Sequence, residues 1–362
     1  MKRRQTLALL ASAVAGTARS AVEVSSVLEQ AVARIQKPVT EGLLNAAVLQ
    51  VQSGQETFLR AFGSATPDSQ FLLGSITKPL TAIAVMVLVD RGRLNLTDPA
   101  QLHLPELKGD ERQKITVQHL LTHTSGLPDQ LPENNALRAR HAPLSEFVAA
   151  AARTPLLFEP GTRYHYQSMG ILLAAEIVQR VSGKPLAEFL EKEVFLPLSL
   201  SQIVLGAGSH EPSSFVPMQT EHAAPESGAG DPNAKSWDWN SEYWRRLAAP
   251  WGGAHSTTAD LTRLLRSFLH PDGKVFRAET ARLMIQDYTS TLTAHRGIGW
   301  MLGDSLGRGC SPKTFGHSGS TGTLAWADPK TDTSFVLLTS LPKNVSGDLI
   351  IRPCSDLIST GL

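Results

Sequence analysis

The stretch that most constrains this chain runs from Phe71 to Arg91, FLLGSITKPLTAIAVMVLVDR, where a helical apolar pattern carries two polar groups at its mouth. Leu80, Ile83, Ala84, Val87 and Leu88 recur at the i, i+3, i+4, i+7, i+8 spacing of one helix face. Val85, Met86 and Val89 make the other faces apolar too, so this helix is expected to be buried all round. Pro79 lacks a backbone donor and is tolerated only in a first turn, which sets the helix start close to Ser75; Gly92 supplies the stop. Ser75-Ile76-Thr77-Lys78 therefore opens the helix, and residues three apart share a face, so the Lys78 amine can reach the Ser75 hydroxyl. A serine hydroxyl attacks poorly until a base removes its proton. A lysine withdrawn from water can be that base, because burial disfavours the ammonium and lowers its pKa from about 10.4. Ser340-Leu341-Pro342-Lys343 matches the same tetrad, but it ends an apolar strand-like run instead of opening a helix. Context, not the pattern, singles out Ser75.

With 362 residues, 42% of them hydrophobic and 19% charged, the chain can bury a large core. Formal net charge is +1 and the basic residues are dispersed after the first few positions, so no phosphate-tracking face is expected and nucleic acid is not an expected partner. Met1-Lys2-Arg3-Arg4 followed by TLALLASAVAGTA reads as a basic and then a short apolar region, with small residues near Ala18 and Ala21 as cleavage sites. Residues 1–21 are thus expected to be a signal peptide, and 22–362 a periplasmic or secreted protein. That apolar run is too short to span a bilayer and no later segment offers about 18 to 20 uninterrupted apolar residues, so no stable anchor is expected after signal removal. Arg3-Arg4 leaves a twin-arginine route open beside the general one. Cys310 and Cys354 could pair in an oxidising compartment or remain two separate thiols; the sequence leaves this open.

In chain order, Ser25 to Ile35 looks helical, and Leu43 to Val51 with Thr57 to Phe62 looks like a hairpin turning at Ser53-Gly54-Gln55. Thr116 is placed to cap a short helix that Gly126 and Pro128 would end. His119 and His123 within it have a spacing that can hold a metal, but Gln118 and Thr122 stand where an acidic partner would be needed, and helix packing is the better account. Helices are expected from Leu144 to Ala152, from Ile171 to Val181 and from Pro185 toward Phe195. Ser201 to Pro250 dissolves into Gly, Pro, Ser and Trp and reads as long loops lining a substrate cleft. A helix with a Ser or Thr cap follows Trp251-Gly252-Gly253, and Ile298 to Leu302, Thr323 to Ala327 and Ser334 to Thr339 look like strands. Strands at both ends of the chain would then form one antiparallel sheet with helices on its faces and a helical lobe inserted.

Five stretches taken together resemble the serine β-lactamase and penicillin-binding protein superfamily, in its class C β-lactamase, D-Ala-D-Ala carboxypeptidase and esterase group. They are Gly74 to Lys78, Ile115 to Leu127 (ITVQHLLTHTSGL), Pro160 to Tyr166 (PGTRYHY), Trp251-Gly252-Gly253 with Ser256-Thr257, and Gly316-His317-Ser318-Gly319. Tyr288-Thr289-Ser290 and His295-Arg296-Gly297 are chance matches to later members of the set. The resemblance implies an α/β (α+β) fold, with the sheet part at about 22–90 and 290–362 and the helical lobe at about 91–289. It implies Ser75 as the acylated nucleophile, Lys78 as its base, Tyr166 as proton relay to the leaving group, and the backbone amides of Ser75 and Ser320 as oxyanion hole. Such a tyrosine would need a nearby cation, Lys78, to lower its pKa if it were to act as base. Ser168, His317, Ser318 and Gly319 would bind substrate, with no metal or organic cofactor. Ser168 stands where many members have Asn, and His317 where most β-lactamases have Lys. The shorter hydroxyl and the weaker positive charge favour esters over amides and β-lactams. The expectation is a hydrolase of esters or small amides and peptides, with a true β-lactamase and a stalled penicillin-binding protein as alternatives.

Overall fold

The computed structural model describes residues 21–362, so the expected signal lies outside the described residues apart from Ala21. The sheet is built from both ends of the chain. Strand β1 (Ala46–Ser53) reads AAVLQVQS, and β2 (Glu56–Gly63) folds back on it around Gly54, whose φ of 56° suits a residue without Cβ. Near the other terminus lie β6 (Met301–Leu302), β7 (Phe315–Gly319), β8 (Thr323–Asp328) and β9 (Thr333–Thr339). The six strands run antiparallel in the order β2-β1-β9-β8-β7-β6, with Ala47 opposite Thr339 and Ser53 opposite Thr333 where the two ends meet.

Side chains on successive strand residues point to opposite faces, and both faces of this sheet are covered, which is why β1 and β9 are apolar almost throughout. Ala47, Leu49, Phe335 and Leu337 pack with Ala31 and Ile35 of helix α1 (Ala21–Thr40) and with Cys354 and Ile358 of the C-terminal helix Arg352–Gly361. Ala46, Val48, Val336 and Leu338 face the larger core, which contains helix α2 (Thr77–Asp90) and the helix Thr258–Leu269. Every α2 residue from Thr77 to Leu88 is buried, as its all-round apolar pattern requires, and Gly92 follows with φ 66°.

Three very short strands, β3 (Phe71–Leu72), β4 (Val204–Leu205) and β5 (Ala254–Ser256), form a second sheet in the order β3-β5-β4. It joins the segment before Ser75 to the one after Trp251-Gly252-Gly253. The expected helices appear at Leu144–Arg153 and Met169–Ser182, the latter closing at Gly183 with φ 74°. Leu186–Leu190 continues through a wider helical turn to Phe195.

Several expectations need correction. The helix capped by Thr116 spans only Val117–Leu121 and does not reach Gly126, because His123 turns left-handed with φ 61°. The strand expected from Ile298 shrinks to β6, and β7, with two glycines and a histidine in five residues, was not expected at all. Ser201 to Pro250 is not plain loop: it contains β4, several single 3-10 turns and the helix Glu242–Leu247, anchored by buried Trp237, Trp239 and Trp244.

Candidate active site

Ser75 sits in a single 3-10 turn, Gly74–Ile76, between β3 and α2, and is half-buried. Gly74 has φ 54°, and a Cβ there would come 2.8 Å from Thr321 Oγ1 and 3.3 Å from the Ser320 nitrogen. The turn is thus pressed against the connection between β7 and β8. Thr321 Oγ1 donates to the Leu72 carbonyl and Thr323 Oγ1 to the Leu73 carbonyl, each at 2.8 Å. A Cβ on Gly319 would lie only 2.2 Å from the Leu73 oxygen, so the absence of a side chain there lets β7 close onto the turn and brings the Ser320 amide beside Ser75.

Lys78 is 1% exposed, with Nζ 3.1 Å from Ser75 Oγ and donating to the Trp251 carbonyl at 3.1 Å. That carbonyl is fixed from α2 itself: Thr81 Oγ1 donates to Pro250 O and Thr77 Oγ1 accepts from the Ala254 amide. Burial brings the Lys78 pKa down to about 7, against the pull of Asp129 and with the help of Arg296. A neutral amine has one lone pair. With N–H committed to a carbonyl that can only accept, the lone pair is left for the serine hydroxyl.

Tyr166 approaches the same hydroxyl, close enough for Ser75 to act on its phenol, while Lys78 Nζ stands 4.8 Å from its ring centroid. Its pKa is not lowered. Burial of the phenol itself pushes it well above the usual tyrosine range, outweighing the opposite pull of the Ser75 hydroxyl and the Arg296 charge. Tyr166 therefore keeps its proton and faces Ser75 as a phenol.

His317 is 1% exposed, its Nδ1 2.7 Å from the Ser318 carbonyl and its Nε2 without a partner among the described residues. Burial, and then the charges of Arg296 and Lys78, hold it well below the usual histidine range, so the ring is neutral and supplies no positive charge. Ser318 Oγ accepts from Lys343 Nζ at 3.0 Å. The lysine of the second Ser-x-x-Lys match is thereby brought to the same strand. Ser168 is buried and donates to Asp129 Oδ1 at 2.6 Å, so its hydroxyl proton is engaged by a carboxylate.

The two spaced histidines have separate tasks. His119 Nδ1 accepts from the Thr116 amide and completes a reciprocal cap, whereas His123 Nδ1 accepts from the Gln167 amide and its ring lies 4.7 Å from that of Tyr166. Among the described residues no group of three or more His, Cys, Asp or Glu could hold a metal. Cys310 and Cys354 are both free thiols.

Sequence reasoning missed two charges. Asp129 follows the Pro128 that had been read only as a helix end. Arg296, set aside as part of a chance triplet, is 8% exposed and donates from Nη2 to Tyr164 OH at 2.5 Å, with its guanidinium carbon 5.2 Å from the Tyr164 ring centroid and 5.6 Å from that of Tyr166. A single buried arginine leaves no periodic trace in a sequence, so only the fold could reveal it.

Residues 26–352 match the family model described as Beta-lactamase. Esterase EstB of Burkholderia gladioli is 31% identical over 319 residues, covering 78% of this chain and 80% of that protein. Among solved structures, a penicillin-binding protein homologue from Caulobacter crescentus superposes with a TM-score of 0.73 at 22% identity, covering 94% of this chain and 97% of that one. A D-amino acid amidase from Ochrobactrum anthropi SV3 gives the same TM-score at 21% identity, covering 92% of this chain and 98% of the other. The chain belongs to the beta-lactamase family of serine hydrolases.

Proposed function

We propose that this chain hydrolyses esters through an acyl-enzyme on Ser75, with small amides and peptides as poorer substrates. The observation that carries this reading is the Lys78 amine, buried, near neutral pKa and 3.1 Å from the hydroxyl it would deprotonate. Lys78 takes the Ser75 proton as Oγ attacks the substrate carbonyl, and the amides of Ser75 and Ser320 receive the developing oxyanion, each donor contributing about 3 to 4 kcal/mol. Tyr166, protonated and beside Ser75, passes a proton to the departing alcohol and is recharged from Lys78. Water then enters, loses a proton to the same pair, and releases the acid and free Ser75.

Two placements support esters over amides. The Ser168 hydroxyl donates to Asp129, which leaves that donor unavailable to an acyl amide, and the neutral His317 offers no charge to a substrate carboxylate. Residues 1–21 would direct export, with 22–362 acting in the periplasm or outside the cell; the charge pattern of Met1 to Arg4 and the apolar run after it support this.

The experiment is burst kinetics with p-nitrophenyl butyrate. Wild type is expected to release one equivalent of nitrophenol rapidly, and Ser75→Ala to show neither burst nor turnover. Full activity in Ser75→Ala ends the proposal. Nitrocefin turnover faster than ester turnover would make it a β-lactamase, and a stable penicillin adduct on Ser75 without product release would make it a stalled binder.

A further inference from the structure

Arg296 lies on the irregular stretch before β6, and its backbone is pinned on both sides. Its amide donates to Thr289 Oγ1 at 2.8 Å and its carbonyl accepts from the Tyr288 amide at 2.8 Å. Nη2 is used on Tyr164, but Nε and Nη1 are buried without an acceptor among the described residues. Buried guanidinium groups are normally paired with carboxylates, since desolvating a lone charge is costly. Asp129, the carboxylate at this site, forms no ion pair with Arg296 among the described residues and bonds to Ser168 instead. A cation kept buried and unpaired against two tyrosines, one of them on the nucleophile, has its effect on what surrounds it.

Resting on the Ser75–Lys78 chemistry proposed above, we infer that Arg296 is a positioning residue of this site: its guanidinium clamps Tyr164 and Tyr166 and supplies a fixed positive charge facing the Ser75–Lys78 pair. The groups facing Lys78 come from every element around it. They are Tyr166 from the loop before the Met169–Ser182 helix, Asp129 and His123 from beyond the Val117–Leu121 helix, His317 from β7, and Arg296. Both histidines are held neutral by burial, so the charges that remain are Asp129, which favours the ammonium, and Arg296, which opposes it. The clamp is geometric as well: one hydrogen bond to the Tyr164 hydroxyl and two ring contacts fix the face on which Tyr166 presents its phenol.

The test compares Arg296→Gln, which removes the charge, with Arg296→Lys, which keeps charge and loses the planar fork. The readout is the pH profile of kcat/KM for p-nitrophenyl butyrate. In Arg296→Gln the acid limb moves up by about one pH unit, a loss roughly ten-fold greater at pH 6 than at pH 9. In Arg296→Lys the limb stays at the wild-type position while kcat falls several-fold. A limb unmoved in Arg296→Gln, or moved as far in Arg296→Lys, overturns the inference. Should Arg296→Gln lack a cooperative melt, Arg296→Lys decides alone: an unmoved limb with lowered kcat supports the inference, and a moved limb or unchanged kcat refutes it. Ser75→Ala separates the two readings, because turnover surviving there refutes the Ser75 mechanism and says nothing against Arg296.

Discussion

Among the described residues Lys78 has no carboxylate within bonding distance, and its cost to the fold follows from its proton. In the unfolded chain a lysine holds its proton up to about pH 10.4, whereas in the fold it loses it near 7. Between these values the unfolded chain binds more protons, so stability rises with pH across this window. The cost is therefore fully present below about pH 7, at most about 5 kcal/mol, and fades toward pH 10. Lys78→Met is expected to abolish turnover yet to be more stable than wild type at pH 7, with the gain shrinking by pH 10; urea unfolding at both values checks this. In the proposed mechanism the same proton sets activity. kcat/KM should climb ten-fold per unit below about pH 7 and level off above it, and since His317 and His123 are already neutral, neither adds a limb of its own. Tyr166→Phe keeps the ring against Lys78 and removes only the relayed proton, so kcat is expected to fall by about 100- to 10,000-fold with little change in KM. At this scale the sequence showed what local spacing can show. Ser75 and Lys78 meet because three residues make most of a helical turn. Asp129 and Arg296 were hidden because their closeness to Lys78 depends on loops whose paths no period encodes.

Elements were legible where one pattern governed them and illegible where tertiary contact did. The apolar period of α2 and the turn at Gly54 could be read directly, and Thr116 was correctly read as a cap. Strand β7 could not be read, because FGHSG has almost no intrinsic strand preference and is held extended by β8 on one side, by the short β6 opposite Phe315 and Gly316 on the other, and by the close approach of Gly319 to the Ser75 turn. That close approach gives a prediction. In Gly319→Ala the new methyl would lie 2.2 Å from the Leu73 oxygen and 2.3 Å from Thr323 Oγ1, so β7 must retreat and carry the Ser320 amide with it. The expected result is a destabilisation of about 1 to 3 kcal/mol and a kcat loss of about 100-fold or more, measured by thermal melts and ester kinetics. Gly54→Ala, with open space around it and φ 56°, should cost stability by about 1 kcal/mol and leave kcat unchanged.

At the scale of the molecule, the ends hold each other. The C-terminal helix lays Cys354 and Ile358 against the sheet, and Ser355 Oγ accepts from Trp326 Nε1 at 2.8 Å. Deleting residues 352–362 removes no group of the candidate site, yet it should abolish both the cooperative melt and ester turnover. No bond between the cysteines assists this closure: burial pushes both thiols up to about 12, so Ellman's reagent should react slowly with the native protein and find two thiols after unfolding. The sequence placed strands at both termini and so foresaw their joining. It could not place the segment from Ser201 to Pro250, where buried tryptophans rather than repeats set the path. The pairing of β1 with β9 has one more consequence. Since Ala47 must wait for Thr339, a ribosome has threaded out nearly the whole polypeptide before the middle of the sheet can close.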